Sequence, residues 1–220
     1  MTTPPVTIDP TDTAIIAAVP CYPVPPSGLS PAIDALRSAR EGHGILIGHD
    51  GVMLIVRRAW LELDQFISPA LPVHLPYGSA GPDRCSLRCG LVPGHILEAV
   101  NDPFERSAPN EAAAFVTWDE NNRTFDLILP DIVEATPSRL VYRPPVLKIG
   151  EHLIADIHSH GAGRAFFSST DDIDDAHSTK IAIVLGGHGT DKHTAAIRLC
   201  ASGTYIPMPY LPFEKPANVD

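Results

Sequence analysis

The chain has 220 residues, 44% hydrophobic and 19% charged, enough for one large domain or a core domain plus a smaller one. Its formal net charge is -10 and it has no basic run, which argues against nucleic acid as the main partner, since phosphate binding needs clustered Lys and Arg. No stretch approaches eighteen apolar residues, and the start, Met1-Thr-Thr-Pro-Pro-Val, lacks the charged and apolar regions of a signal peptide. A cytoplasmic chain with no membrane partner is therefore expected.

Prolines crowd residues 1–26 and recur at Pro207, Pro209, Pro212 and Pro216, so both ends read as extended. The organisation expected is an N-terminal β-rich unit over 1–90, a second domain over 91–210 and a tail over 211–220. In the first unit, Ser30 as N-cap and Pro31 at the first helical position open a helix to Arg40. The apolar runs 44–48 and 52–58 flank His49-Asp50-Gly51, and Asp-Gly is a strong hairpin signal. A third apolar run spans Trp60 to Ile67, followed by a Pro/Gly-rich loop from Pro69 to Pro82. Cys85 and Cys89 are spaced too loosely for a zinc knuckle and read as plain thiols.

In the second domain, Ile96, Leu97 and Val100 recur at helical spacing from Pro93 to Asp102, and Pro103 is expected to end that helix. Glu111 follows a Pro109-Asn110 turn and leads into the apolar run 112–118. Asp119 to Asn122 turns the chain into a partner strand, 124–129. Leu153 to Ile157 is a short apolar strand that delivers His158. Ile181 to Leu185 is a buried type of strand, Gly186-Gly-His-Gly189 turns the chain, 195–199 returns it, and 204–206 adds a last strand. Strands interrupted by two helices predict a mixed α/β sandwich.

The chemistry concentrates in His158-x-His160-x7-Ser168-x2-Asp171. At a strand end, His158 and His160 share one side because side chains alternate with period two, so both can bind one metal. Ser168-Ser-Thr-Asp-Asp has hydroxyls for capping and acids for a first helical turn. Gly161 and Gly163 let the intervening loop fold back and bring Asp171 near the histidines. Two imidazoles and a carboxylate, with a fourth position open, suit a catalytic zinc. Such a centre acidifies water and polarises a carbonyl, and it needs a carboxylate beside it to carry the proton. Upstream lie Glu98, Glu105, Glu111, Glu120, Glu134 and Glu151. Among these Glu111 is favoured, because it stands where a turn hands over to a buried strand. Ser168 is placed to donate to an oxyanion. Asp156 is a candidate to orient a ligand histidine from behind. His177 reads as helix surface. His188 and His193 flank a glycine-rich turn and read as solvated. Asp172, Asp174 and Asp175 read as acids favouring a helix N-terminus.

The spacing, with Pro109-Asn110-Glu111-Ala112 upstream, resembles the JAMM or MPN-plus signature of zinc isopeptidases and deubiquitinase-like enzymes. The resemblance covers about residues 91–210. It implies a cytidine deaminase-like α/β/α sandwich, the JAMM/MPN core, after the small β-rich N-terminal unit. It implies His158, His160 and Asp171 as zinc ligands, Glu111 as general acid/base and Ser168 as oxyanion donor. Many members carry proline between or just after the histidines; here those positions are Ser159 and Gly161. No set matches the second, structural zinc of some eukaryotic members, so one Zn2+ per chain is expected. Arg57-Arg58-Ala59-Trp60, Leu75-Pro76-Tyr77-Gly78 and Ala165-Phe166-Phe167-Ser168 resemble one bacterial branch of the family, that of PRTRC systems on plasmids and integrated elements. Its operons resemble ubiquitin-like conjugation systems, which implies a ubiquitin-like protein as substrate and E1-like and ubiquitin-like operon partners. The competing expectations are a non-catalytic MPN-type scaffold and a zinc hydrolase of a small amide.

Overall fold

A computed structural model describes residues 18–70, 72, 74–208 and 212–214. The proline-rich start and tail lie largely outside the described residues. The chain divides into two compact units, 1–88 and 89–220.

The first unit is a five-stranded sheet in the order β1-β2-β3-β4-β5 with one helix. Its strands are β1 (Cys21–Pro23), β2 (Gly42–Gly48), β3 (Gly51–Arg58), β4 (Leu61–Pro69) and β5 (Arg84–Leu87), and its helix is α1 (Pro31–Ser38). β1 runs parallel to β2 and the rest pair antiparallel. The His49-Asp50 turn closes the β2–β3 hairpin, with Gly48 opposite Gly51. Helix α1 begins as its sequence requires: the Ser30 side chain accepts from Ile33 N and Pro31 occupies the first turn. Ile33 and Leu36 of α1 pack with Val24, Leu46, Met53 and Ile55 as the apolar core. Arg57 is fully buried beside it. Its guanidinium donates to Asp64 at 2.6 Å and to the carbonyls of Arg37, Val56 and Leu63, so the buried charge is paired and its donors used.

The second unit holds a six-stranded sheet, ordered β13-β12-β11-β10-β6-β7, and a separate two-stranded hairpin, β8-β9. Its elements are α2 (Gly94–Ser107), β6 (Ala113–Asp119), β7 (Thr124–Ile128), β8 (Asp131–Thr136), β9 (Arg139–Arg143), β10 (Glu151–Ser159), α3 (Ser169–Asp175), β11 (Lys180–Gly186), β12 (Thr194–Ala201) and β13 (Thr204–Pro207). β10 and β11 are the parallel pair, and the connection between them carries α3. The remaining pairs are antiparallel. This is a mixed α/β domain, mostly sheet with few helices, preceded by the small β unit, as the strand pattern predicts.

Pro103 does not end its helix; α2 runs on to Ser107. Ile96, Val100 and Phe104 are its buried stripe, and Phe104 lies beyond the proline, so apolar burial on that face outweighs the backbone bond the proline cannot make. The β8-β9 hairpin has no counterpart among the strands the sequence pattern predicts.

One face of the sheet carries a buried ionic network. Lys180 lies 2.6 Å from Asp156 and 2.8 Å from Asp175, and Arg198 lies 2.7 Å from Asp175 and 2.5 Å from Asp172. The Arg198 guanidinium also sits over the rings of Phe167 and Tyr205, 3.9 and 4.1 Å from their centroids. Two expectations are corrected here. Asp172 and Asp175 hold cations from β11 and β12 rather than serving only the α3 terminus, because α3 lies over strands that present those cations. The Asp156 carboxylate turns to Lys180, the nearest full charge, and not to a ligand histidine.

Candidate metal centre

Strand β10 ends at Ser159, with His158 in the strand and His160 one step past it. His158 pairs with Ala113 of β6 and with Val184 of β11. Beyond that pair, Ser159 N donates to Ala112 O at 2.8 Å, and Ala112 N donates to Ser159 Oγ at 3.0 Å. The middle residue of His-x-His is thus fully buried and serves the backbone. Glu111 immediately precedes Ala112, where the segment leading into β6 meets the end of β10. The Glu111 backbone is fixed from its other side, where its N–H donates to Thr136 O of the β8-β9 hairpin.

Asp171 arrives from α3. Ser168 is the N-cap and forms a full capping box: its Oγ accepts from Asp171 N, and its own N–H donates to Asp171 Oδ2 at 2.6 Å. The Ser168 hydroxyl also donates to Oδ2, at 2.7 Å. With Oδ2 occupied, Oδ1 faces His158 Nε2 at 3.5 Å. His160 is oriented from behind, its Nδ1 lying 3.1 Å from Arg164 O and its ring resting edge-on against Phe166. A carbonyl can only accept, so Nδ1 carries the proton and Nε2 presents its lone pair. One donor atom from each of His158, His160 and Asp171 lies within 4.8 Å of the others.

These residues fit zinc by their chemistry. The set is two imidazoles and one carboxylate, His160 is held by Arg164 O and Asp171 by Ser168, and burial holds the His158 imidazole in its neutral form by lowering its pKa. Burial pushes the Glu111 carboxyl above the usual carboxylate range. His160 opposes that shift and Asp171 adds to it, which places Glu111 within electrostatic reach of both.

The model of the prokaryotic homologs of the JAB domain matches residues 95–200, and a domain of unknown function, DUF2016, matches residues 9–88. The chain carries a prokaryotic JAB domain. No curated protein matches the chain. JAB domains include hydrolases and often bind zinc. In this JAB domain all five residues singled out by spacing or resemblance converge: His158, His160 and Asp171 as a donor cluster, Ser168 bonded to Asp171, and Glu111 within electrostatic reach of His160 and Asp171. The hydroxyl of Ser168 has one proton, and here Asp171 Oδ2 takes it. No helix among the described residues is long and apolar enough to cross a membrane.

The JAB domain also holds a second cluster. His188, expected in solvent, is 2% exposed. The turn after β11 folds it under α2, where Phe104 meets its ring edge-on. Its Nδ1 lies 3.2 Å from Glu105 Oε1, and Gly189 N–H donates to Glu105 Oε2 at 2.7 Å. The Gly189 amide, together with His188, holds the Glu105 carboxyl below the usual range. Donor atoms of Glu105, His188 and His193 lie within 4.8 Å of one another. Glu105 and His188 are 83 positions apart, so local spacing has no signal for the pair.

Proposed function

We propose that the chain is a zinc-dependent JAMM-type isopeptidase or peptidase that processes or deconjugates a ubiquitin-like protein of a bacterial mobile-element system. The observation that supports this reading is the donor set His158, His160 and Asp171, with the Glu111 carboxylate within electrostatic reach of His160 and Asp171. A scaffold has no need of such a set. Zinc held by these three residues supplies Lewis acidity, acidifying water to a pKa near ~7 and polarising the scissile carbonyl. Glu111 takes the proton of the attacking water and delivers it to the leaving amine. Its raised pKa suits both halves of that transfer, since the carboxyl must accept and then release a proton. Ser168 donates to the developing oxyanion by turning its hydroxyl from Asp171 Oδ2, whose other donor, the Ser168 amide, stays in place.

The test is incubation of the zinc-loaded full chain with a ubiquitin-like protein bearing a C-terminal extension, and with its isopeptide conjugate. Cleavage after the ubiquitin-like tail, lost in Glu111→Gln, is the expected result. Zinc bound with neither substrate cut would favour the scaffold or small-amide readings.

A further inference from the structure

The Glu105, His188 and His193 cluster lies outside the machinery just described. It borders a cavity of about 430 Å³ that all three residues line together with Asn101 and Thr194. Its central residue is unusual. His188 is buried, its Nδ1 faces a carboxylate, and its Nε2 is buried with no hydrogen-bond partner among the described residues. With the proton on Nδ1 to meet Glu105, the Nε2 lone pair faces no donor. With the proton on Nε2, two lone pairs face each other across 3.2 Å. Neither neutral tautomer satisfies both nitrogens, and a cation shared by Nδ1 and the Glu105 carboxylate removes the repulsion of the second, leaving the single proton on Nε2.

We infer that Glu105, His188 and His193 form a second zinc site, bordering this cavity and separate from the His158–His160–Asp171 centre. Two imidazoles and a carboxylate are a zinc donor set, and the cavity leaves room for water as the fourth ligand. Donors about 2.0–2.2 Å from one tetrahedral ion stand roughly 3.3–3.6 Å apart. The exposed side chains of Glu105 and His193 close the remaining distance by rotation.

The position suggests what the ion does. Glu105 belongs to α2 and the histidines to the turn between β11 and β12, so one ion ties helix to turn. That turn is bonded to the loop that follows His160: Gly187 N–H donates to Gly161 O at 3.0 Å and to Gly163 O at 2.9 Å, and His188 N–H donates to Gly161 O at 2.9 Å. The second ion therefore braces the loop that follows His160.

The test removes the first centre. A His158→Ala/His160→Ala double variant of the full chain, dialysed against micromolar zinc, should retain about one zinc per chain by elemental analysis. Its melting temperature should rise with added zinc. Adding His193→Ala, at an exposed position that the fold tolerates, should abolish both the bound metal and the zinc-dependent shift. A metal-free double variant would overturn the second site, as would metal retained after His193→Ala. Neither result touches the hydrolase reading, which is tested by substrate cleavage.

Discussion

A side chain on Gly161 would collide with Pro109: its Cβ would stand 2.1 Å from the Pro109 carbonyl oxygen. Gly161 has φ +51°, in the left-handed region, and this conformation lets the backbone after His160 lie against the segment that leads into Glu111.

Gly161→Ala should therefore damage function more than ordinary loop substitutions do. The left-handed backbone alone costs about 1–2 kcal/mol with a Cβ, and the collision adds to it. The melting temperature should fall, and kcat/KM should fall further than zinc occupancy does, because Glu111 is displaced from His160. Gly163→Ala is the control. Its Cβ would lie 3.0 Å from His160 O without the positive φ, so a smaller effect is expected.

Glu111→Gln keeps shape and removes the proton carrier. Turnover should drop by roughly 10²–10⁴-fold while elemental analysis shows unchanged zinc. Asp171→Ala should instead lower zinc occupancy, since it removes a donor and the partner of Ser168.

Asp175→Asn tests the buried network. Burial raises the Asp175 pKa, but hydrogen bonds from Lys180 and Arg198 outweigh it and hold the carboxyl below its usual range. A depressed folded pKa stabilises the fold above the unfolded value of about 3.9, and that stability is lost as pH falls through the folded value. Below about pH 4 the wild type should lose melting temperature steeply, and the variant should show a flatter acid limb. At neutral pH the variant leaves Lys180 and Arg198 under-compensated, a cost of roughly 3–5 kcal/mol in denaturant unfolding.

Arg57→Met tests the N-terminal unit. The side chain volume is roughly kept, but Asp64 loses its 2.6 Å partner and three carbonyls lose a donor. A destabilisation of about 3–5 kcal/mol is expected. Hydrogen exchange of the β3 and β4 amides should report it as a loss of protection by two to three orders of magnitude.

What sequence pattern revealed and what it missed divide along physical lines. Strands β2, β3, β6, β10 and β11 are runs of apolar residues with sharp turn signals, so composition alone places them. The cap at Ser30 and the capping box at Ser168 are local and equally readable. The β8-β9 hairpin escaped because burial does not alternate along it. Ile132 and Val133 are both exposed, and the register shifts between Ile132 and Glu134, so no period of two survives. Polar, exposed β5 escaped for a related reason. Pro103 breaks a helix by its own chemistry, but the burial of Phe104 just beyond it carries α2 on to Ser107. At the centre, His158, His160 and Asp171 follow from spacing, whereas the place of Glu111 needs the β6-β10 register. The pairing of Glu105 with His188 has no local trace at all.

The grip of Arg198 on α3 carries a consequence for metal exchange. Phe167 precedes the Ser168 cap and Asp172 follows Asp171, so one guanidinium clasps the chain on both sides of Asp171. Tyr205 reinforces it, its hydroxyl donating to Asp172 O. The conformational entropy of placing Asp171 is thus spent when the domain folds, and an arriving ion finds the donors already assembled. Chelation should empty the centre without melting it, and reloading should proceed at the pace of ion diffusion and dehydration rather than of chain rearrangement.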